Sequence, residues 1–186
     1  MEFTIAPATH DDAEEYVHGH VGMLISTYAH LMGPDFSVIR RGEITDRIGW
    51  LHDDIDEASA ALAAGREPHR AHLVARNTRG GMVGLACSGI GCDSWEEEVC
   101  GDAWTPPATD RILDHLYTVP GTHGSGLGQA LLDASLPGRR PAYLWVLSEN
   151  TRAVRFYERN GFTADGLQVS TGETWGERPM HRMTRT

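Results

Sequence analysis

Cysteine is scarce in this chain of 186 residues: three thiols, Cys87, Cys92 and Cys100, odd in number and confined to one region. Such a set builds no disulfide framework, and reduced, structurally incidental thiols are expected. None of the ten histidines stands at a zinc-ligand spacing from them, so no metal site is expected either. Long apolar runs are also missing. No stretch approaches the length that crosses a bilayer, and Met1-Glu2-Phe3-Thr4-Ile5 has neither the basic start nor the apolar segment of a secretory signal. A cytoplasmic protein without a membrane partner is the expectation. Basic residues are outnumbered, 16 against 26 acidic ones, for a formal charge of −10. That balance argues against nucleic acid as a partner, because phosphate backbones are held by basic patches. It admits a cationic acceptor such as an amine, although an acidic surface serves solubility equally well. Repeats and low-complexity tracts are absent, and the length suits one compact domain over residues 1–186.

What is present is concentrated in two stretches. Leu113 to Val119 has the composition of a buried strand, Pro120-Gly121 ends it, and Leu127, Ala130, Leu131, Leu132 and Ala134 trace one face of a helix. Between them lies His123-Gly124-Ser125-Gly126-Leu127-Gly128. Glycines at alternate positions let the backbone approach a ligand and leave N–H groups pointing outward at a helix N-terminus, where the dipole favours negative charge. The loop therefore reads as a pyrophosphate cradle, or as a tight structural turn. A dinucleotide fingerprint would need glycine at Gln129, and a Walker loop would need a Lys-Ser/Thr pair that is missing.

The second stretch begins with Ala142 to Leu147, a strand by composition, after which Asn150 or Ser148 caps a helix carrying Ala153, Val154, Phe156 and Tyr157. Asn160-Gly161 stops that helix, and Phe162 opens another strand. Asn150 and Tyr157, seven residues apart, fall on nearly the same helix face. By itself, Tyr157 also fits a core aromatic.

In their order and separation the two stretches resemble the cofactor motifs of the GCN5-related N-acetyltransferases, the GNAT superfamily. His123, Gly126 and Gly128 stand at the places of Gln/Arg-x-x-Gly-x-Gly/Ala, with His123 the departure. Asn150, Ala153 and Tyr157 match Asn-x-x-Ala-x-x-x-Tyr, followed by the Gly161-Phe162 corner. The resemblance implies an α/β (α+β) fold with a mixed, mostly antiparallel sheet flanked by helices, in which strands four and five splay around acyl-CoA. Elsewhere Phe3 to Thr9 reads as an opening strand, and helices are expected from about Asp12 to Leu31 and from Ser37 to Ala64, the latter in one or two pieces. His72 to Arg76 and Gly81 to Gly89 read as a hairpin. Gly91 to Asp110 is expected to be an irregular flap over the acceptor end or a solvated connection. Leu136-Pro137-Gly138 should end the phosphate helix early, and strand-like pieces around Thr171-Gly172 and Gly176 to Pro179 suit the closing strands.

The resemblance further implies an acetyl-CoA-dependent N-acetyltransferase acting by direct attack of a primary amine on the thioester, the amine being that of a small molecule or a peptide. Backbone groups of Thr118 and Val119 would pair with the pantetheine arm. Those of His123, Gly124, Ser125, Gly126, Leu127, Gly128 and Gln129 would hold the pyrophosphate, and Asn150 would contact the arm from the opposite wall. Tyr157 would be the general acid for the leaving thiolate. No cysteine lies near either motif, which disfavours an acetyl-enzyme. For the base, Asp114 lies two residues beyond Ile112, where some family members carry Glu, and strand alternation places it on the same face and His115 on the other. Glu96, Glu97 and Glu98 could reach in from the flap, and water is a further candidate. Tyr16, Tyr28, His30, Trp50, Glu173 and Trp175 fall in regions that build the acceptor pocket in the family. A homodimer is expected, and a catalytically silent acyl-CoA-binding module of the same fold is the competing reading.

Overall fold

A computed structural model describes residues 2–186. A seven-stranded sheet runs through the molecule in the order β1-β2-β3-β4-β5-β7-β6. Its first four strands, β1 (Phe3–Pro7), β2 (Arg70–Asn77), β3 (Met82–Ile90) and β4 (Arg111–Thr118), form an antiparallel meander. β5 (Ala142–Leu147), β7 (Pro179–Arg185) and β6 (Thr163–Ser170) form a second antiparallel group. The groups join where β4 and β5 run parallel, through a single register pair, Ile112 with Tyr143. Beyond that pair the strands diverge, as the resemblance implies, and the sheet opens into a cleft.

Helices cover both faces. α1 (Ala13–Tyr28) follows a turn in which Asp12 accepts hydrogen bonds from the Thr9 N–H and hydroxyl at 2.8 and 2.6 Å. It buries Tyr16, Val17, Val21 and Leu24 at helical spacing and packs with α3 (Ile44–Ala63) against Val74 and Leu85 of the sheet. The short α2 (Phe36–Gly42) separates these two helices, so the expected Ser37–Ala64 helix is two pieces. On the opposite face α5 (Leu127–Ser135) buries Leu127, Leu131 and Leu132, and α6 (Thr151–Arg159) buries Tyr157. Each such apolar side chain stabilises the fold by about 1.5–3 kcal/mol relative to leaving it exposed. α5 stops after Ser135, as Leu136-Pro137 foretells. Asn150 caps α6 by accepting from the Ala153 N–H at 3.2 Å, and Gly161, at φ +84°, ends it.

Two segments differ from the sequence expectations. Gly91 to Asp110 is not wholly irregular: Ser94–Cys100 forms α4, whose Asp93 and Glu96 make a capping box. The closing strands lie on either side of Thr171-Gly172 and Gly176, which belong to the connection between β6 and β7. Among the described residues no helix is long and apolar enough to cross a membrane. Every side-chain ion pair uses arginine or histidine, because all sixteen Lys-or-Arg positions are arginine.

Candidate active site

The cleft between β4 and β5 has two lobes. One, of about 550 Å³, is lined by Thr118, the loop from His123 to Gln129 apart from Ser125, and Asn150, Arg152, Phe156 and Tyr157 of the α6 side. The other, of about 930 Å³, lies toward α1, α3 and α4 and is lined by Trp50, Trp95, Trp175, Asp93 and Glu98 among others. Both lobes share Tyr28, Asp114, His115, Tyr117, Trp145 and Val146, so they meet where the strands part.

The first lobe has the chemistry of an anion cradle. Gly124 and Gly126 adopt φ +82° and +86°, with open space where a Cβ would project. Gly126 is the left-handed cap of α5, and the N–H groups of Gly126, Gly128 and Gln129 find no protein acceptor among the described residues. Arg152 of α6 reaches across, its guanidinium 2.8 Å from His123 Nδ1. Burial and this neighbouring charge hold His123 below the ordinary imidazole range, so it is neutral and accepts from the arginine. Arg152 thus supplies at the loop the cationic group that His123 does not. Nothing in the motif spacing marked it.

Val119 departs from the sequence expectation. Its N–H donates to the Val83 carbonyl at 3.0 Å and its own carbonyl accepts from Thr122, so it has no unpaired backbone donor for an arm in the cleft. Ser125 has turned its backbone N–H to Thr122 and does not line the cleft. Asn150 lines it while capping α6 and donating to the Tyr28 hydroxyl at 3.0 Å. Tyr157 is buried, and burial, with Tyr28 adding to it, holds its phenol protonated far above neutral pH.

At the junction, the expected alternation of β4 fails. Cys87 pairs with His115 but Ser88 pairs with Leu113, so Asp114 is an extra residue, a β-bulge. The bulge resets the alternation and brings His115 to the same side as Asp114, correcting the expectation that they point apart. Asp114 Oδ2 lies 2.6 Å from His115 Nδ1. The Asp114 side chain is 31% exposed, and that exposure is to the cleft whose floor it forms. Burial raises its carboxyl, but the hydrogen bond with His115 and the charge of Arg70 outweigh it and leave Asp114 well below the usual carboxylate range. His115 is held below its ordinary range by burial, only partly offset by Asp114.

The flap acids divide. Glu96 is fully buried and accepts from Tyr143 Oη, Trp145 Nε1 and the Asp93 N–H at 2.8, 2.8 and 3.0 Å, so it is a strut beneath β5 and not a base. Glu98 lines the second lobe and Glu97 faces outward. Of the expected acceptor residues, Tyr28, Trp50 and Trp175 line that lobe, whereas His30 and Glu173 do not and Tyr16 lies in the core at 2% exposure. Cys87, Asp114 and His115 bring a thiol, a carboxylate and an imidazole within 4.8 Å. Both nitrogens of His115 already have partners, and burial pushes the Cys87 thiol well up, which makes the trio a hydrogen-bonded cluster and a poor cation site.

Comparison with known proteins agrees with this architecture. Residues 68–164 match the family model described as acetyltransferase (GNAT) domain. The chain is 35% identical over 91 residues to a mycothiol acetyltransferase of Geodermatophilus obscurus, covering 41% of this chain and 30% of that protein. It is 34% identical over 108 residues to an uncharacterized N-acetyltransferase of Mycobacterium tuberculosis, covering 55% and 59%. It therefore spans less than two thirds of the length of either relative. Among solved structures, the PaiA N-acetyltransferase of Thermoplasma acidophilum in complex with coenzyme A superposes with a TM-score of 0.64 at 16% identity, over 98% of both chains. A GNAT-family acetyltransferase of Streptococcus pneumoniae gives 0.61 at 18% identity, over 99% and 98%. With a family match across more than half its length, and with the strands, glycine loop and splayed sheet in place, the chain belongs to the GNAT acetyltransferase family.

Proposed function

We propose that the protein is an acetyl-CoA-dependent N-acetyltransferase that transfers acetyl to the primary amine of a small molecule or peptide by direct attack. The observation that carries the reading is the meeting of the two lobes at Asp114, His115 and Trp145, which gives a thioester and an amine separate entrances to one point. The thioester supplies the activated acyl group. The glycine loop and Arg152 bind its phosphates, while Thr118 and Asn150 flank the arm. Tyr157 donates its hydroxyl proton to the departing thiolate, a task suited to a phenol that stays protonated. Asp114, backed by His115, takes the proton lost by the amine. Trp50, Trp95 and Trp175 with Asp93 and Glu98 suit an acceptor that carries an amine on an apolar body, by cation–π contact and ion pairing.

Calorimetric titration with acetyl-CoA tests the first half. Binding in the micromolar range is expected for the parent and none for Gly126→Asp, which sets a negative charge in the open space of the anion cradle and an L side chain at a φ of +86°. Absence of binding by the parent would overturn the assignment.

A further inference from the structure

A file of polar side chains runs from the cleft through the core to the surface of α3. Asp114 Oδ2 is 2.6 Å from His115 Nδ1, and His115 Nε2 is 2.8 Å from the Tyr16 hydroxyl. That hydroxyl is 3.1 Å from His72 Nδ1, and His72 Nε2 is 2.8 Å from Asp54 Oδ2. The file crosses β4, α1, β2 and α3, with Tyr16 buried at its centre and the Asp54 side chain 32% exposed at its end. Neither ligand binding nor protonation of a leaving thiolate requires Tyr16, His72 or Asp54.

Hydrogen counting gives the file a meaning. Each of its four contacts needs one hydrogen. With both carboxylates ionised, two neutral imidazoles and one phenol supply three. The file is complete only with one added proton, and that proton can stand at either end while every contact is kept.

We propose that Asp114, His115, Tyr16, His72 and Asp54 form a relay that takes the proton released by the attacking amine and delivers it to solvent at α3. The inference rests on the acetyl-transfer reading above. The amine N–H bond breaks, its electron pair stays on nitrogen, and an O–H bond forms at Asp114. Four protons then shift, each within its own contact: Asp114 to His115 Nδ1, His115 Nε2 to Tyr16, Tyr16 to His72 Nδ1, and His72 Nε2 to Asp54. Asp54 releases the proton to water. In the state that takes the amine's proton, His115 carries its hydrogen on Nε2 toward Tyr16 and leaves Nδ1 bare beside Asp114, so the arriving proton fills the one empty contact of the file. When the fourth proton is missing, the Ala86 carbonyl, 3.2 Å from the Tyr16 hydroxyl, offers that phenol another acceptor. The groups around the relay are His20, stacked on His115 at 4.1 Å, Tyr117 beside it, and Cys87, 3.7 Å from His72 Nε2, with the charges of Arg47 and Arg70 acting on its cleft end.

The test pairs a spectroscopic readout with a kinetic one. In the parent, ¹⁵N spectra of the imidazoles should show His115 and His72 changing protonation over one shared pH interval, and in Tyr16→Phe over two independent ones. With acetyl-CoA and either phenethylamine or a tripeptide bearing a free α-amine, Tyr16→Phe and Asp54→Asn should each lower kcat about tenfold. They should alter its solvent isotope effect and leave KM for acetyl-CoA unchanged. Asp56→Asn, on the same helix but paired with His10, should match the parent. Independent titration of the two rings in the parent, or an unchanged kcat in both relay variants, would overturn the relay. Shared titration in a parent that transfers acetyl to neither amine would overturn the acceptor reading and leave the proton file standing.

Discussion

In the proposed transfer Tyr157 and Asp114 divide the proton traffic of one cleft, and their surroundings suit each to its direction. Tyr157 sits where burial disfavours phenolate, so it enters the step still carrying the proton that a departing thiolate needs. Asp114 sits where His115 favours carboxylate. Tyr157→Phe should therefore lower kcat by about 10²-fold or more while leaving the calorimetric affinity for acetyl-CoA within about twofold, since the hydroxyl does not belong to the phosphate cradle. An equal loss in kcat and affinity would instead make Tyr157 part of the binding wall.

Among the elements, the legible ones were those whose sequence signals are local. Strand β4, the glycine turn into α5, and α6 between Asn150 and Gly161 follow from periodicity, capping and a residue that takes positive φ. The bulge at Asp114 was illegible, because nothing in Leu113-Asp114-His115 marks an extra residue; it arises from how β4 registers against β3. Arg152 and the Tyr16-His72-Asp54 file were missed for a related reason: their partners are 18 to 99 positions away in sequence. Glu96 makes the same point with an energetic consequence. In the sequence it belongs to a run of three acidic residues that suggests a solvated turn, yet α4 inserts it beneath β5. Glu96→Ala would strand the buried Tyr143 Oη and the half-buried Trp145 Nε1, and should destabilise the fold by about 2–4 kcal/mol in urea unfolding. A change within about 0.5 kcal/mol would mean that water replaces the carboxylate.

For the molecule as a whole, a half-buried histidine packed at the cleft sets a pH limit. Burial, then the neighbouring His115, holds His20 well below its usual value of 6.5. In the unfolded chain it protonates as pH falls through about 6.5, whereas in the folded chain it does not. The associated stability is thus fully present above that pH and declines below it, by at most about 1.4 kcal/mol per pH unit for one histidine. Thermal unfolding should show this decline between pH 6.5 and 5, and His20→Gln should flatten it. A parent and variant with parallel curves would assign the acid sensitivity elsewhere. The absence of lysine also matters here: no side-chain amine in these 186 residues can compete with an added acceptor, so acyl-transfer assays are free of that source of self-labelling.

The single register pair between β4 and β5 bears on how the chain assembles. Every other neighbouring strand pair lies within one of two groups, residues 3–118 or residues 142–185, and each group closes its own antiparallel ladder. The crossover α5 docks on the first group, and its Leu132 with Leu136 just past its end joins Leu113 of β4 to the apolar side chains of β5 and β7. Two folding units joined this way should be separable by a nick at Pro137-Gly138, and their reassociation would rebuild the cleft as a seam between fragments, so that a ligand spanning it acts as glue for the pair.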